Sequence, residues 1–135
     1  MPLPANGPWT LPIEGFEVYA LTFGGLIDVL VAGTGGARAK IRFESAFEFT
    51  EPGQRALELN PANDAWQDLA AIMTLRHDRI VAAEAIEADA RLRVEFESGR
   101  LLTAEPDPQY ENWAVTGPGF QLISLPGGGV AHFPE

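Results

Sequence analysis

The sequence predicts an α+β domain that is mostly antiparallel β, with about eight to ten short strands in meanders and hairpins. One amphipathic helix at about residues 62–75 is expected to pack on a curved sheet or partial barrel. Three observations predict this class: segments that alternate with a period of two, glycine-rich turns between them, and one window of helical spacing. The length of 135 residues fits a single domain, residues 1–135, with an extended Pro-rich segment at about 1–12.

The clearest strands are residues 38–44 and 91–97, in which charged and apolar side chains alternate. Glycine-containing turns at residues 24–25, 33–36, 98–99, 117–119 and 126–129 separate the shorter apolar runs. The first half of the chain is therefore expected to form an antiparallel meander. The remaining predicted strands are residues 16–23, 26–32, 46–49, 56–59, 80–86, 100–104, 114–116, 120–125 and 130–133.

The helix is predicted from its start signals and its apolar stripe. Asn60-Pro61 and Asn63-Asp64 supply capping residues, and proline is tolerated in the first helical turn. The expected buried stripe follows at helical spacing and consists of Trp66, Leu69, Ile72 and Met73.

Composition excludes several classes of function. Nineteen acidic against nine basic residues give a net charge of −10, which opposes binding to nucleic acid and to anionic membranes. The same charge favours a basic protein partner, although it also serves solubility. The absence of cysteine excludes disulfides and thiolate metal sites. No signal peptide and no apolar stretch of membrane-spanning length is found, so a cytoplasmic protein is expected.

Chemistry-bearing residues form no recognisable catalytic or metal-binding pattern. His77 and His132 are far apart in sequence, and His77 and Asp78, as neighbours at a helix end, do not face each other. No metal-ligand spacing, nucleophile elbow or phosphate-binding loop occurs. The sequence therefore indicates no cofactor and no metal, and an enzyme is not the favoured interpretation.

The loop at residues 105–113 combines two prolines, three acids and two large rings. Stiff aromatic side chains beside acids are typical of a protein contact surface, with the rings as anchors and the acids steering a basic partner. The alternative is that the rings fold back and cap the sheet. The candidate partner-binding residues are Glu105, Asp107, Tyr110, Glu111 and Trp113.

The C-terminal third resembles an uncharacterised bacterial family of small acidic proteins, a domain of unknown function. The likeness lies in Pro-Asp-Pro-Gln-Tyr-Glu-Asn-Trp at residues 106–113, Gly-Pro-Gly at 117–119 and Leu-Pro-Gly-Gly at 125–128. The resemblance implies no activity and no catalytic residues. Small acidic proteins of this kind often act as immunity proteins of bacterial toxin systems, and this analogy suggests a non-catalytic binding module.

A second interpretation is a small-ligand-binding β domain, with a pocket between helix and sheet near Trp66 and Trp113. The outward basic stripe Arg38, Lys40 and Arg42 is expected to be an ordinary solvated strand face. The sequence does not indicate an oligomeric state.

Overall fold

The computed structural model describes residues 8–62, 66–86 and 88–134, without the side chains of Trp66 and Pro134. Described residues form twelve strands, one short helix and two 3-10 turns, so the strand count exceeds the predicted eight to ten. The strands are β1 (Trp9–Thr10), β2 (Glu17–Phe23), β3 (Ile27–Ala32), β4 (Arg38–Phe43), β5 (Phe47–Thr50), β6 (Leu57–Leu59), β7 (Ile80–Ile86), β8 (Arg91–Phe96), β9 (Leu101–Ala104), β10 (Trp113–Gly117), β11 (Phe120–Ser124) and β12 (Val130–Pro134). The helix α1 is Trp66–Ile72, and 3-10 turns span Thr34–Gly36 and Met73–Leu75.

The strands make two six-stranded antiparallel sheets. The first sheet has the order β1-β7-β8-β9-β5-β6, and the second has the order β12-β11-β10-β4-β3-β2. Each sheet has two end strands and is therefore not closed, which corrects the expectation of a partial barrel. The predicted first-half meander is confirmed for β2–β4, which pair in sequence order, but it does not continue into β5 and β6, which belong to the first sheet.

Alternation within the strands places one face of each sheet in a shared core. Ala39, Ile41 and Phe43 of β4 are buried, and so are Leu92, Val94 and Phe96 of β8. These side chains belong to a single hydrophobic cluster to which both sheets contribute. The period-two pattern of the sequence is therefore confirmed as the pattern of burial.

The N-terminal segment contributes to this core. Trp9 of β1 pairs with Ala85 of β7 and is buried, although β1 was not predicted as a strand. Leu11 and Ile13 are buried as well. Of the predicted extended segment at 1–12, residues 1–7 lie outside the described part of the chain.

The α-helix ends at Ile72, earlier than the predicted end at Leu75, and its buried stripe is different. Ile72 is buried as expected and Leu69 is partly buried against the core, but Met73 has 54% of its surface exposed. Leu75 is buried in its place, because the chain tightens from α-helix to a 3-10 turn after Ile72 and the apolar face shifts. Of the expected capping residues, Asn60 accepts the Ala62 N–H through its Oδ1 at 3.0 Å, whereas Asn63 and Asp64 lie outside the described residues.

The chain passes from one sheet to the other three times: residues 11–16 connect β1 to β2, and two neighbouring crossovers follow later in the chain. Residues 44–46 carry it from β4 to β5, and residues 105–112 carry it from β9 to β10. Phe43 and Phe47 stack across the first of these two crossovers with ring centroids 3.9 Å apart. The loop that the sequence analysis singled out, residues 105–113, includes the second of these two connections. We call it the crossover loop.

Candidate functional site

Asn112 ties the two crossovers together. Its Oδ1 accepts the Ser45 backbone N–H at 3.2 Å, and its Nδ2 donates to the carbonyls of Ala46, at 2.9 Å, and of Glu105. Its backbone carbonyl accepts the N–H of Glu44 at 2.7 Å. The side chain is 3% exposed, and a buried amide with its donors and acceptor satisfied holds the backbone around it rigidly.

Asp107 also has an internal role. Its Oδ1 accepts the N–H groups of Gln109 and Tyr110 at 2.8 and 3.1 Å, and its Oδ2 accepts the Ser45 hydroxyl at 3.0 Å. The hydrogen bond from the Gln109 N–H is the main reason that the pKa of Asp107 lies below its usual value, with the Ser45 hydroxyl assisting. Asp107 therefore shapes the loop and is not a free carboxylate for a partner.

Trp113 belongs to the core and not to the surface. It is fully buried, and its Nε1–H donates to the carbonyl of Ala90 at 2.7 Å. The backbone N–H groups of Asn112 and Trp113 both donate to the Ser124 hydroxyl at 3.0 Å. Trp113 is therefore corrected from candidate contact residue to core residue, because an indole with a satisfied N–H gains most when it is removed from water.

The other three candidates remain on the surface. Tyr110 is 66% exposed, and Glu105 and Glu111 are exposed as well. Glu105 forms a salt bridge to Arg91 of β8, with Oε1 3.2 Å from the arginine NH2. The structure thus brings Glu105, Tyr110 and Glu111 to the outer side of the crossover loop, which Asp107 and Asn112 support from below.

The crossover loop forms one wall of a surface cleft. The inner part, of about 200 Å³, lies between the loop and the outward side chains of β5 and β6, and the outer part, of about 540 Å³, extends toward residues 60–62. We call the two parts the acidic cleft. Its acidic lining residues are Glu44, Glu48, Glu58, Glu105, Asp107 and Glu111, and no Lys, Arg or His is among the lining residues.

Glu48 and Glu58 were not predicted from the sequence. They are direct cross-strand partners on β5 and β6, so that two carboxylates with the same charge face each other. Neither makes a salt bridge to a described residue. Like charges opposite each other destabilise a sheet, and only the register of β5 against β6, which the sequence does not specify, shows that they meet.

The described carboxylates do not form a metal centre. Among the described residues no group of three or more His, Asp or Glu side chains is arranged to hold a metal ion. The acids of the cleft are spread along its length, which suits several separate cationic groups better than a single ion.

The two histidines lie apart. The His77 side chain is exposed, with Nδ1 3.8 Å from Glu17 Oε2, whereas Asp78 accepts hydrogen bonds from the Ser98 hydroxyl and the Arg79 N–H. The shallow cleft around His77 also contains Asp78, Glu97 and Ser98 but not His132, which lies on β12.

The basic stripe lies on the outward side of β4. Arg42 binds Asp28 in a bidentate pair, at 2.8 and 3.0 Å, and this hydrogen bonding is the main cause that raises the pKa of Arg42. The Arg38 guanidinium lies 4.6 Å from the centre of the Tyr19 ring. Two of the three cations therefore have partners within the same sheet.

The comparison with known proteins identifies a family. Residues 9–134 match the model of the family described as Family of unknown function (DUF6188). The chain belongs to this family. The match spans both sheets, so the DUF6188 unit includes every strand described above, from the buried Trp9 to the last strand. No curated protein and no solved structure shows significant similarity to the chain. No helix of the described residues is long and apolar enough to cross a membrane.

Proposed function

We propose that the protein is a non-catalytic binding module that takes a basic segment of another protein into the acidic cleft. The observation that carries the proposal is the facing pair Glu48 and Glu58, which no described cation neutralises. A positively charged side chain placed between them would turn a repulsive contact into two attractive ones.

The crossover loop supplies the second element of the surface. Tyr110 stands 66% exposed at the outer part of the cleft, next to Glu111, and a partly exposed tyrosine offers a large contact area with few rotatable bonds. Asp107 and Asn112 fix the loop backbone in advance, so little ordering entropy would be lost when a partner binds. An immunity-type protein that covers a basic toxin is one form that such a module takes.

The test uses an arginine- and lysine-rich peptide as probe, titrated against the full chain by calorimetry at low salt. The double variant Glu48→Gln/Glu58→Gln is expected to weaken binding about tenfold or more, in line with losing two close charge contacts. The matched control is Glu14→Gln/Glu97→Gln, which reduces the negative net charge by the same amount through two exposed acids that do not line the cleft. If both double variants weaken peptide binding equally, the effect comes from the overall charge, and the acidic cleft is refuted as the binding site.

Tyr110→Ala tests the aromatic part of the surface separately. Because Tyr110 is exposed, we expect the removal of its ring to weaken the binding free energy of the peptide by about 1–2 kcal/mol. The free energy of unfolding should stay unchanged. Binding at the wild-type level in this variant would exclude the loop from the contact.

A small-ligand site is the second candidate function. Trp113 is buried and cannot line a pocket, but an open groove of about 350 Å³ lies between α1 and the β5–β6 hairpin, lined in part by Phe49, Leu57 and Ala71. Its apolar floor and the polar Gln54 and Arg55 are the combination that small ligands use. Saturable binding of an apolar dye such as ANS to the native chain, abolished by Ala71→Trp, would support this function, and no binding would reject it.

A further inference from the structure

The last strand, β12, is the least protected edge of the two sheets. The other end strands are short or irregular: β1 has two residues, β6 has three, and β2 carries a bulge between Val18 and Ala20. The start of β2 is also hydrogen-bonded to the chain before β7, through His77 N–H to Val18 O at 2.8 Å and Val18 N–H to Asp78 O at 2.9 Å. β12 has five residues paired in regular register with β11, with no bulge and no charged side chain. Proteins usually protect such an edge with charges, prolines, bulges or a short strand, and of these devices β12 has one, Pro134 at its last position.

The hydrogen-bond pattern of the β11–β12 hairpin shows which backbone groups face outward. Leu125 N–H donates to Gly129 O at 2.9 Å, which makes that pair a hydrogen-bonded one. Because such pairs alternate along an antiparallel ladder, Ala131 and Phe133 also bond inward, to β11. The backbone groups of Val130 and His132, and the carbonyl of Pro134, therefore point to the free edge, where no described strand pairs with them.

We propose that β12 pairs with β12 of a second copy of this chain, antiparallel and with His132 opposite His132, so that the two second sheets form one continuous twelve-stranded sheet. In this register the two His132 residues exchange two backbone hydrogen bonds. Each Val130 N–H then donates to Pro134 O of the other copy, which adds two more. Only the missing N–H of Pro134 leaves a bond unmade on each side.

The side chains of this edge fit the same two-fold register. Phe133 is 51% exposed on the outer face of the second sheet, where Ala131 lies on the same strand. With His132 at the centre, Phe133 of each copy lies opposite Ala131 of the other, so a large ring meets a small side chain twice. The contact covers two exposed aromatic rings that the single chain leaves in water.

Charge also favours a second copy at this edge. The chain carries a net charge of −10, but β11 and β12 contain no charged residue. Among the described strands of the second sheet, the charges nearest to β12 on the outer face are those of β4, where Lys40 is cross-strand to Thr116 and Arg42 to Ala114. Glu135, which follows β12, lies outside the described residues. Two acidic molecules that pair through β12 therefore place no carboxylate of β11 or β12 against another. The acidic cleft shares no lining residue with β12, and this inference does not rest on the proposed function.

The first experiment measures the mass of the full chain by sedimentation equilibrium over rising concentration. We expect a reversible dimer, and His132→Pro should abolish it, because this proline removes an outward N–H and leaves the bonds to β11 intact. Circular dichroism checks that this variant is folded. A monomer at every concentration up to about 1 mM, or a dimer that folded His132→Pro retains, would overturn the proposal.

The second experiment tests the register and does not depend on the proline variant. The chain has no cysteine, so single cysteines can be introduced without competition. In the proposed register His132→Cys brings two sulfurs together across the two-fold axis, within disulfide range, whereas the cysteines of Phe133→Cys lie too far apart to bridge. Oxidation should give a covalent dimer of the first variant only. Equal cross-linking of both variants, or of Phe133→Cys alone, would overturn the register.

Discussion

The side chain of Asn112 is hydrogen-bonded to the backbone of Ser45, with Oδ1 3.2 Å from the Ser45 nitrogen, although 67 positions separate the two residues. Through this contact the connection between β9 and β10 is fastened to the connection between β4 and β5. The crossover loop is thus part of the framework on its inner side and open to solvent on its outer side. Stability and binding are therefore expected to depend on different residues of the same loop.

Asn112→Ala should be strongly destabilising. The change leaves the Ser45 N–H and the carbonyls of Ala46 and Glu105 without their partner in a buried setting, and we expect a loss of about 2–4 kcal/mol in the free energy of unfolding. Urea denaturation measures the loss. Gln109→Ala, at an exposed position of the same loop, is the control and should change stability by less than about 0.5 kcal/mol. Similar stability of the two variants would contradict the role given to Asn112.

Trp113→Phe tests the indole hydrogen bond apart from the packing of the ring. The phenyl ring fills most of the space, but the Ala90 carbonyl loses its donor in the core, so we expect a destabilisation of about 1–3 kcal/mol. Thermal unfolding followed by circular dichroism measures it. Tyr110→Phe is the control, since its exposed ring should leave the melting temperature unchanged. Equal melting temperatures of the two variants would show that the hydrogen bond to the Ala90 carbonyl contributes nothing to stability.

Asp107 should make the free energy of unfolding depend on pH in the acidic range. Its pKa is lower in the folded protein than its ordinary value of 3.8, mainly because the Gln109 N–H bonds to the carboxylate. The ionised group therefore stabilises the fold at pH values above 3.8, and this contribution is lost as the pH falls through the folded pKa.

The measurement compares wild type with Asp107→Asn by chemical denaturation between neutral pH and pH 2. Wild type should be the more stable at neutral pH, and the difference should shrink as the pH falls below 3.8. Glu111→Gln, whose carboxylate makes no hydrogen bond to a described residue, serves as control. A difference that stays constant over this range would show that the Asp107 charge does not support the fold.

Gly117→Ala should strain the end of the β10–β11 hairpin. A Cβ at Gly117 would lie 2.5 Å from Cε1 of the buried Phe120 ring and 3.4 Å from Cβ of Ala39, so the ring must move. We expect a loss of about 1–3 kcal/mol in the free energy of unfolding. The double variant Gly117→Ala/Phe120→Leu provides the check, because a smaller side chain at 120 should reduce the added cost of the alanine. An equal cost of the alanine in both backgrounds would rule out the clash with Phe120.

Much of the local structure could be predicted because burial follows the period of the sequence. β7 was predicted with the bounds that the structure shows, and β4 and β8 differ by one residue. The helix was less predictable: Met73 fits an ideal helical stripe, but the change to a 3-10 turn moved burial to Leu75. Propensity and spacing do not include this tightening, since tertiary packing decides it.

The candidate site could be predicted only in part. Residues 105–113 stood out through their prolines, acids and rings, and Tyr110 is exposed as a contact residue must be. Trp113 was assigned to the same surface because composition does not reveal on which side of a loop a ring lies. Ser45, Glu48 and Glu58 were missed, since they reach the loop through strand pairing between distant parts of the chain.

The sequence by itself determined the mostly antiparallel β class, most strand positions and the excess of acids, because each follows from local alternation or from a count of residues. Only the tertiary structure decided how the strands divide into two open sheets and which acids face each other across a cleft. It also decided which ring of the crossover loop meets solvent. The physical reason is that these features depend on contacts between residues far apart in the chain, and the energies that select them arise only when those residues pack together.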